Sequence, residues 1–414
     1  MRASRALYRD ARALMPGGVS SPARAFPPHP LYFERGRGPR VADADGRAYI
    51  DLNMAFGALL LGHRPPEVVR AVRAQLGRGT HFGAPHRLEV EVAREVRRRM
   101  PSLERLRFVN TGTEATMAAV RLARAATSRS GVVKMDGGFH GSHDAVLVKA
   151  GSGAQTHGVP TSAGVPAEAA KRTHVLPYND ARALERLLKR RRDVAAVLME
   201  PVLANVGTIL PAPGYLPAVR EATEEHDVLL IFDEVITGLR LPGGAQGVFG
   251  VEPDLTALGK ALGSGLPIGV YGGRRELMSL VAPEGPVYQA GTYSGNPLSL
   301  AAARAVLSAL TPALYHRLES RGRDLFAGLS AAGADHVHFC GSLGQLFFSR
   351  RPIRNARDAR RADGRKYMRF FRAMLRRGVY LAPSPFETQF LSGAHSSRDV
   401  ERVLAAARRA LRDL

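Results

Sequence analysis

VAAVLMEPVLANVGTILPAPGYLPAVREATEEHDVLLIFDEV, residues 194–235, decides the architecture of this 414-residue chain. One apolar run, VAAVLM, ends at Glu200; the amphipathic segment YLPAVREATEEHD follows; a second apolar run, VLLIF, begins at once and ends in Asp233 and Glu234. Short continuous apolar runs separated by helix-period segments indicate strands buried on both faces, in a parallel sheet covered by helices. The pattern extends outward, with LRFVN leading into TEATMAAVRLARAAT, so residues 51–298 are expected to form a large α/β domain with a mostly parallel sheet. From about 300 the texture changes to Arg/Ala-rich helices with the short strands QLFFS and TQFLS between them, a smaller α+β domain over 299–414. Residues 1–50 are expected to pack with that smaller domain.

Composition narrows the class. At 45% hydrophobic the chain can bury a large core, enough for roughly two or three domains. The single cysteine, Cys340, excludes an intramolecular disulfide framework and fits a reducing compartment. No stretch approaches the roughly 20 apolar residues of a membrane span, and the arginine-broken amino terminus does not read as a signal peptide, so a cytoplasmic protein is expected. A net charge of +22 raises the question of nucleic acid. The basic runs RRRM, LLKRRRD and FFRAMLRRGVY are separated by long neutral stretches and read as outer helix faces, with neither an RNA-recognition aromatic box nor a finger spacing beside them. Nucleic acid is therefore not expected as the main ligand.

In open parallel sheets ligands sit past the carboxyl ends of strands, which directs attention to four places. In FVNTGTEAT a strand breaks at Asn110 and a helix begins, so the free amides about Gly112 and Thr113 make either a plain helix cap or an anion cradle suited to phosphate. In LLIFDEV, Asp233 is either a solvated strand end or a carboxylate that holds a proton on a heterocyclic nitrogen. In GGFHGSHD, Phe139 and His140 follow glycines and can lay a ring over a flat ligand. His140, His143 and Asp144 have no partner motif, and no metal is expected.

The fourth place is PDLTALGKALGSGLPIG, 253–269. Only six of the 59 Lys plus Arg are lysine, and one of them, Lys260, stands here among glycines. A guanidinium keeps its proton in a protein, whereas a desolvated lysine can become a neutral amine nucleophile. An amine, a carboxylate for a ring nitrogen, a phosphate cradle and an aromatic ring are together the contacts that pyridoxal 5'-phosphate requires, with the pyridoxamine form arising when an amino group is passed on.

Long blocks then carry a resemblance: PGGVSSPARAF, NTGTEATMAAVRLAR, VKAGSG, GVPAEAAKRTHVLPYND, LLIFDEVITG, PDLTALGKALGSGLPIGVYGGRREL, YQAGTYSGNPL and RGVYLAPSPFETQFLSGAH. The chain resembles the class III aminotransferases of fold type I, and within them the glutamate-1-semialdehyde 2,1-aminomutases, nearly end to end. The resemblance implies that Lys260 is the Schiff-base lysine and Asp233 the partner of the pyridine nitrogen. It implies cofactor contacts from Gly112, Thr113, Phe139, His140 and Asn205, and a homodimer in which Thr292 reaches the phosphate bound in the other subunit. Substrate contacts are implied for Ser21, Arg24, Phe56, Ser162 and Glu387, and a mobile lid for 153–166. A guanidinium grip on a carboxylate gives Arg24 a physical rationale, and a carboxylate at Glu387 repels the α-carboxylate of an external glutamate donor.

The chain departs from that family where the pocket is expected. AFGA puts Phe56 where the family has tryptophan, HGSHD replaces its His-Gly-His-Ala-Asp, and GSLGQLFF and FETQF bring Gln345 and Gln389 into places that are apolar or glycine there. These changes leave the cofactor chemistry untouched, but the space opened by Phe56 and the polar demands of the glutamine amides, which a different substrate would satisfy, open a second reading, a class III aminotransferase that aminates another small oxo or carboxylic acid from a separate amino donor.

Overall fold

The computed structural model describes residues 2–148 and 162–414. In chain order its strands are β1 Phe33–Arg37, β2 Arg40–Asp43, β3 Ala48–Asp51, β4 Arg105–Val109, β5 Gly131–Met135, β6 Thr173–Leu176, β7 Val194–Met199, β8 Leu229–Asp233, β9 Leu255–Leu258, β10 Gly269–Gly273, β11 His336–Cys340, β12 Leu343–Phe347, β13 Val379–Tyr380 and β14 Gln389–Phe390. The central sheet has the order β4-β10-β9-β8-β7-β5-β6. Its neighbours from β9 through β6 pair in parallel, while β10 runs antiparallel to both β9 and β4. The glycine-rich GVYGG of β10 lacks the aliphatic signature by which the other strands were legible.

Side-chain alternation explains why the strands read as unbroken apolar runs. Val133, Met135, Val197, Met199, Leu230 and Phe232 enter one core layer, and the intervening Val132, Ala196, Leu198, Leu229 and Ile231 enter the layer on the opposite face. Both layers exclude water, so neither face selects polar residues. Helix Gly112–Thr127 covers one face through Ala115, Ala119 and Leu122, and helix Tyr215–Glu225 covers the other through Leu216 and Val219.

The antiparallel strands β1 to β3 carry β13 in parallel at the edge of β3. Tyr49, Ile50 and Leu52 share a core with Phe326, Phe370, Phe371 and Val403, which joins the amino-terminal strands to the last quarter of the chain. Helix Pro297–Ala309 behaves differently from its sequence texture. Leu300, Val306 and Leu307 pack with Phe108, Leu258 and Val270 of the large sheet, so a boundary at 298 cuts into the first turn of a helix that belongs to the larger core. The sequence texture misleads here because Arg/Ala-rich helices occur on both sides of the boundary. Among the described residues no single helix is long and apolar enough to cross a membrane.

Candidate active site

β8 delivers Asp233 at its carboxyl end, buried, and two groups fix the carboxylate. The amide of Val235 donates to Oδ1 at 3.1 Å, and Nδ1 of His140 lies 2.8 Å from Oδ2. A carboxylate only accepts, so Nδ1 carries the hydrogen and the Nε2 lone pair faces the other way, with no partner among the described residues. Burial lowers the pKa of His140; Asp233 opposes that shift and the nearby Lys134 charge adds to it. The ring is thus held neutral. His140, expected to contact the cofactor, is 1% exposed and aims the carboxylate of Asp233. The adjacent Glu234 turns the other way and accepts from Thr237 Oγ1, Ala245 N and Gln246 N, a structural anchor for the turn that follows.

Across the sheet from this pair, Thr111 caps helix Gly112–Thr127 by accepting from Glu114 N at 3.1 Å. The first intrahelical bond is Ala115 N to Thr111 O, so the amides of Gly112 and Thr113 stand ahead of it. The cap thus leaves both amides without a partner among the described residues. Gly141, at φ +96°, lies so close to it that a Cβ would come within 2.5 Å of Thr113 Oγ1. Only glycine lets the 136–148 loop fold against the cradle. Thr116, one turn further on, donates to the carbonyl of His140 at 2.6 Å and ties that loop to the same helix.

Lys260 follows β9 at the start of a short 3-10 turn with φ +40°, a left-handed conformation costly for a side-chain-bearing residue and typical of functional positions. Among the described residues its Nζ makes no hydrogen bond or ion pair, yet three carboxylates act on it, Glu387 most strongly, then Glu200 and Asp233. Burial nonetheless wins and lowers its pKa, in the direction an amine nucleophile needs. Phe139 is 42% exposed, so a face of its ring is open to a ligand, and its amide donates to Glu200 Oε1 at 3.2 Å. Glu200 also accepts from Ala204 N and from Nδ2 of Asn205, at 3.0 and 3.1 Å. Burial, with Asp233 adding to it, pushes the Glu200 carboxyl up to about 8.

Glu200 and Arg240 escaped the sequence reading. Glu200 closes an apolar strand as Asp233 closes the next, and the strand-end rule that selected one selects the other. Arg240 gave no such signal, being one arginine among many. It is 1% exposed, donates to Ser342 Oγ, Leu391 O and Gly57 O, stacks over Phe390 at 4.9 Å, and is drawn down to about 9 by burial.

The expected substrate residues fall in several places. Arg24 and Phe56 line one cavity of about 380 Å³, with Asn53, Asp51, His63 and Tyr380. Residues 54–57 all have positive φ, and Asp51 and Asn53 hold this turn by accepting from Met54 N and Phe56 N. Ser21 faces a neighbouring recess with Met15 and Pro22. The hydroxyl of Ser162 donates to Ala163 O; the expected lid residues 153–161 lie outside the described residues. Thr292 is exposed beside Tyr288 and Tyr293, 72% and 62% exposed. A larger cavity, about 800 Å³ between Arg98, Leu239 and Tyr315, holds none of the expected catalytic residues. No group of metal-ligating side chains occurs among the described residues.

Gln345 and Gln389 do not pose the unmet polar demand expected of them. Gln389 donates to Tyr367 Oη at 2.9 Å and accepts from Ala382 N at 3.0 Å, while Gln345 donates to Pro385 O at 2.9 Å. Both are buried, and their amides are used up inside the protein.

The model of the aminotransferase class III family matches residues 22–385. The chain belongs to that family, and its architecture is that of the fold type I pyridoxal-phosphate enzymes. It is 52% identical over 412 residues to the glutamate-1-semialdehyde 2,1-aminomutase of Methanothrix thermoacetophila, covering 98% of this chain and 96% of that one. Among solved structures it is similar to an omega-transaminase from Sphaerobacter thermophilus, at TM-score 0.93 and 35% identity over 99% and 97% of the two chains. It is also similar to a glutamate-1-semialdehyde aminomutase from Pseudomonas aeruginosa PAO1 in complex with PMP, at TM-score 0.89 and 31% identity over 99% and 94%.

Proposed function

We propose that this chain is a pyridoxal 5'-phosphate enzyme that converts glutamate 1-semialdehyde to 5-aminolevulinate. Residues present fit the cofactor: a lysine amine and two helix-start amides without partners among the described residues, a buried carboxylate aimed by a neutral histidine, and an open phenyl face. When bound, the cofactor supplies an aldehyde that captures amines and a ring that withdraws electrons from the carbon beside them. In this reading Lys260 Nζ holds the cofactor and moves the proton at the substrate carbon, Asp233 keeps the pyridine nitrogen protonated, and Gly112 and Thr113 bind phosphate. Asn205 lines the same site, and Arg24 grips the substrate carboxylate with Ser21, Ser162 and Phe56 around it. Thr292 and its exposed tyrosines face a second copy of the chain in a homodimer working in the cytoplasm.

What supports the mutase over a two-substrate transaminase is Glu387, a buried carboxylate that acts on Lys260. A negative charge at the amine repels a dicarboxylate donor. The semialdehyde needs none, because substrate and product are isomers: nitrogen leaves C2 and appears at C1, the aldehyde carbon becomes CH2–NH2, and C2 becomes the ketone. The second reading, a transaminase with another small acid, draws on Phe56, which leaves more room than a tryptophan. Pyridoxamine-form enzyme given glutamate 1-semialdehyde alone is expected to yield 5-aminolevulinate over many turnovers. Silence there, with turnover once a separate amine is added, would establish the transaminase instead.

A further inference from the structure

We infer that Lys134 is a positioning residue, an internal ammonium that fastens the 136–148 loop over the cofactor site. The inference rests on the reading above for its consequence, but its geometry stands independently of it.

Lys134 lies in β5, on the face of that strand shared by Val132, and is 0% exposed. Among the described residues its Nζ donates to three carbonyl oxygens, of Gly138 at 2.9 Å, Val146 at 3.0 Å and Val148 at 3.0 Å. Carbonyls only accept, so three such contacts use three hydrogens, the number an ammonium has and a neutral amine lacks. Burial draws Lys134 down to about 7, while the charges of Glu200 and Asp136 hold it up. The three carbonyl dipoles add to that support. A planar guanidinium has its donors in a fork and does not match three oxygens gathered around one point, which explains a lysine at this position in a chain that otherwise uses arginine.

The three carbonyls bracket the residues expected to meet the cofactor. Gly138 precedes Phe139 and His140, and Val146 and Val148 close the same loop. One cation therefore draws both ends of the loop to β5 while Phe139, His140 and Gly141 reach Glu200, Asp233 and the Thr113 helix start between them. Its charge also helps keep His140 neutral. Without Lys134, two buried carbonyls and a partly buried third lose this donor at once and the loop loses its reason to stay down.

Hydrogen–deuterium exchange on the cofactor-free full chain tests this, paired with the affinity of pyridoxal 5'-phosphate. Lys134→Met is expected to speed exchange of amides 138–148 by about 10-fold or more with β7 and β8 within about twofold of the parent, and to weaken cofactor binding by about 10-fold. Val132→Ala, a cavity on the same strand face, is the control: it lowers Tm without singling out the loop. Lys134→Gln keeps two of the three hydrogens, should show a smaller loss, and decides the matter if the methionine variant does not fold. Protection of 138–148 unchanged in either variant, or lost evenly across the sheet as in Val132→Ala, would overturn the inference. Failure of the donor-free turnover assay leaves these readouts unaffected, so the two claims fail separately.

Discussion

His140 Nδ1 stands 2.8 Å from Asp233 Oδ2, with both side chains removed from water. The histidine spends its one ring hydrogen on the carboxylate and so hands Asp233 to the site oriented, with one acceptor position taken. If that arrangement keeps the pyridine nitrogen protonated, Asp233→Asn should lower kcat by about 10²–10³, the range for loss of a charge-stabilising contact. His140→Phe, which leaves the carboxylate but removes its support, should lose less. Equal rates for Asp233→Asn and the parent in a single-turnover assay would contradict the assignment.

Lys260 bears two duties, capture and proton transfer, and arginine can perform neither. Lys260→Arg and Lys260→Ala are each expected to lose at least about 10³-fold in kcat, with Ala partly restored by added methylamine and Arg not. Rescue of both by the amine would argue that position 260 merely fills space.

Glu387 opposes the depression of the Lys260 pKa that burial causes. In Glu387→Gln that opposition is gone, so the lysine pKa falls further and the neutral amine persists to lower pH. The ascending limb of the pH–rate profile should move toward acid by up to about one unit. A limb displaced toward alkali would mean that the two groups do not interact as the structure places them.

Acid stability has a definite sign at His395. The ring lies 3.0 Å from Ser392 N through Nδ1 and 3.1 Å from Asp51 O through Nε2, and burial draws it down to about 4 against the opposing pull of Asp51 and Asp399. The unfolded chain has an ordinary histidine near 6.5 and binds more protons than the fold between those values. Stability from this group is complete above about 6.5 and is lost as pH falls toward 4, costing about 2 kcal/mol at pH 5. Urea unfolding at pH 8 and pH 5 should show a smaller difference in His395→Gln than in the parent.

The glutamines tell which parts of the site could be read beforehand. The strand ends, the helix start and Lys260 were legible because each couples a residue type to a local pattern, a polar group placed where an apolar run stops. Gln345 and Gln389 looked like substrate ligands because sequence gives residue type without partners, and their partners, Tyr367, Ala382 and Pro385, come from other elements of the fold. Arg240 and the antiparallel β10 were silent for the same reason: nothing local in GVYGG or in one more arginine reports on a neighbour far away in the chain. Gln389→Met should therefore cost about 1–3 kcal/mol of stability with KM for the semialdehyde within about twofold, measured by urea unfolding and initial rates.

Reduction with borohydride after incubation with pyridoxal 5'-phosphate, followed by peptide mass mapping, asks the most direct question of this chain. The expected result is one pyridoxyl group per chain, on Lys260, with Lys134 unmodified. A label on another lysine, or a chain that takes none, would contradict the assignment of Lys260 on which the catalytic account is built.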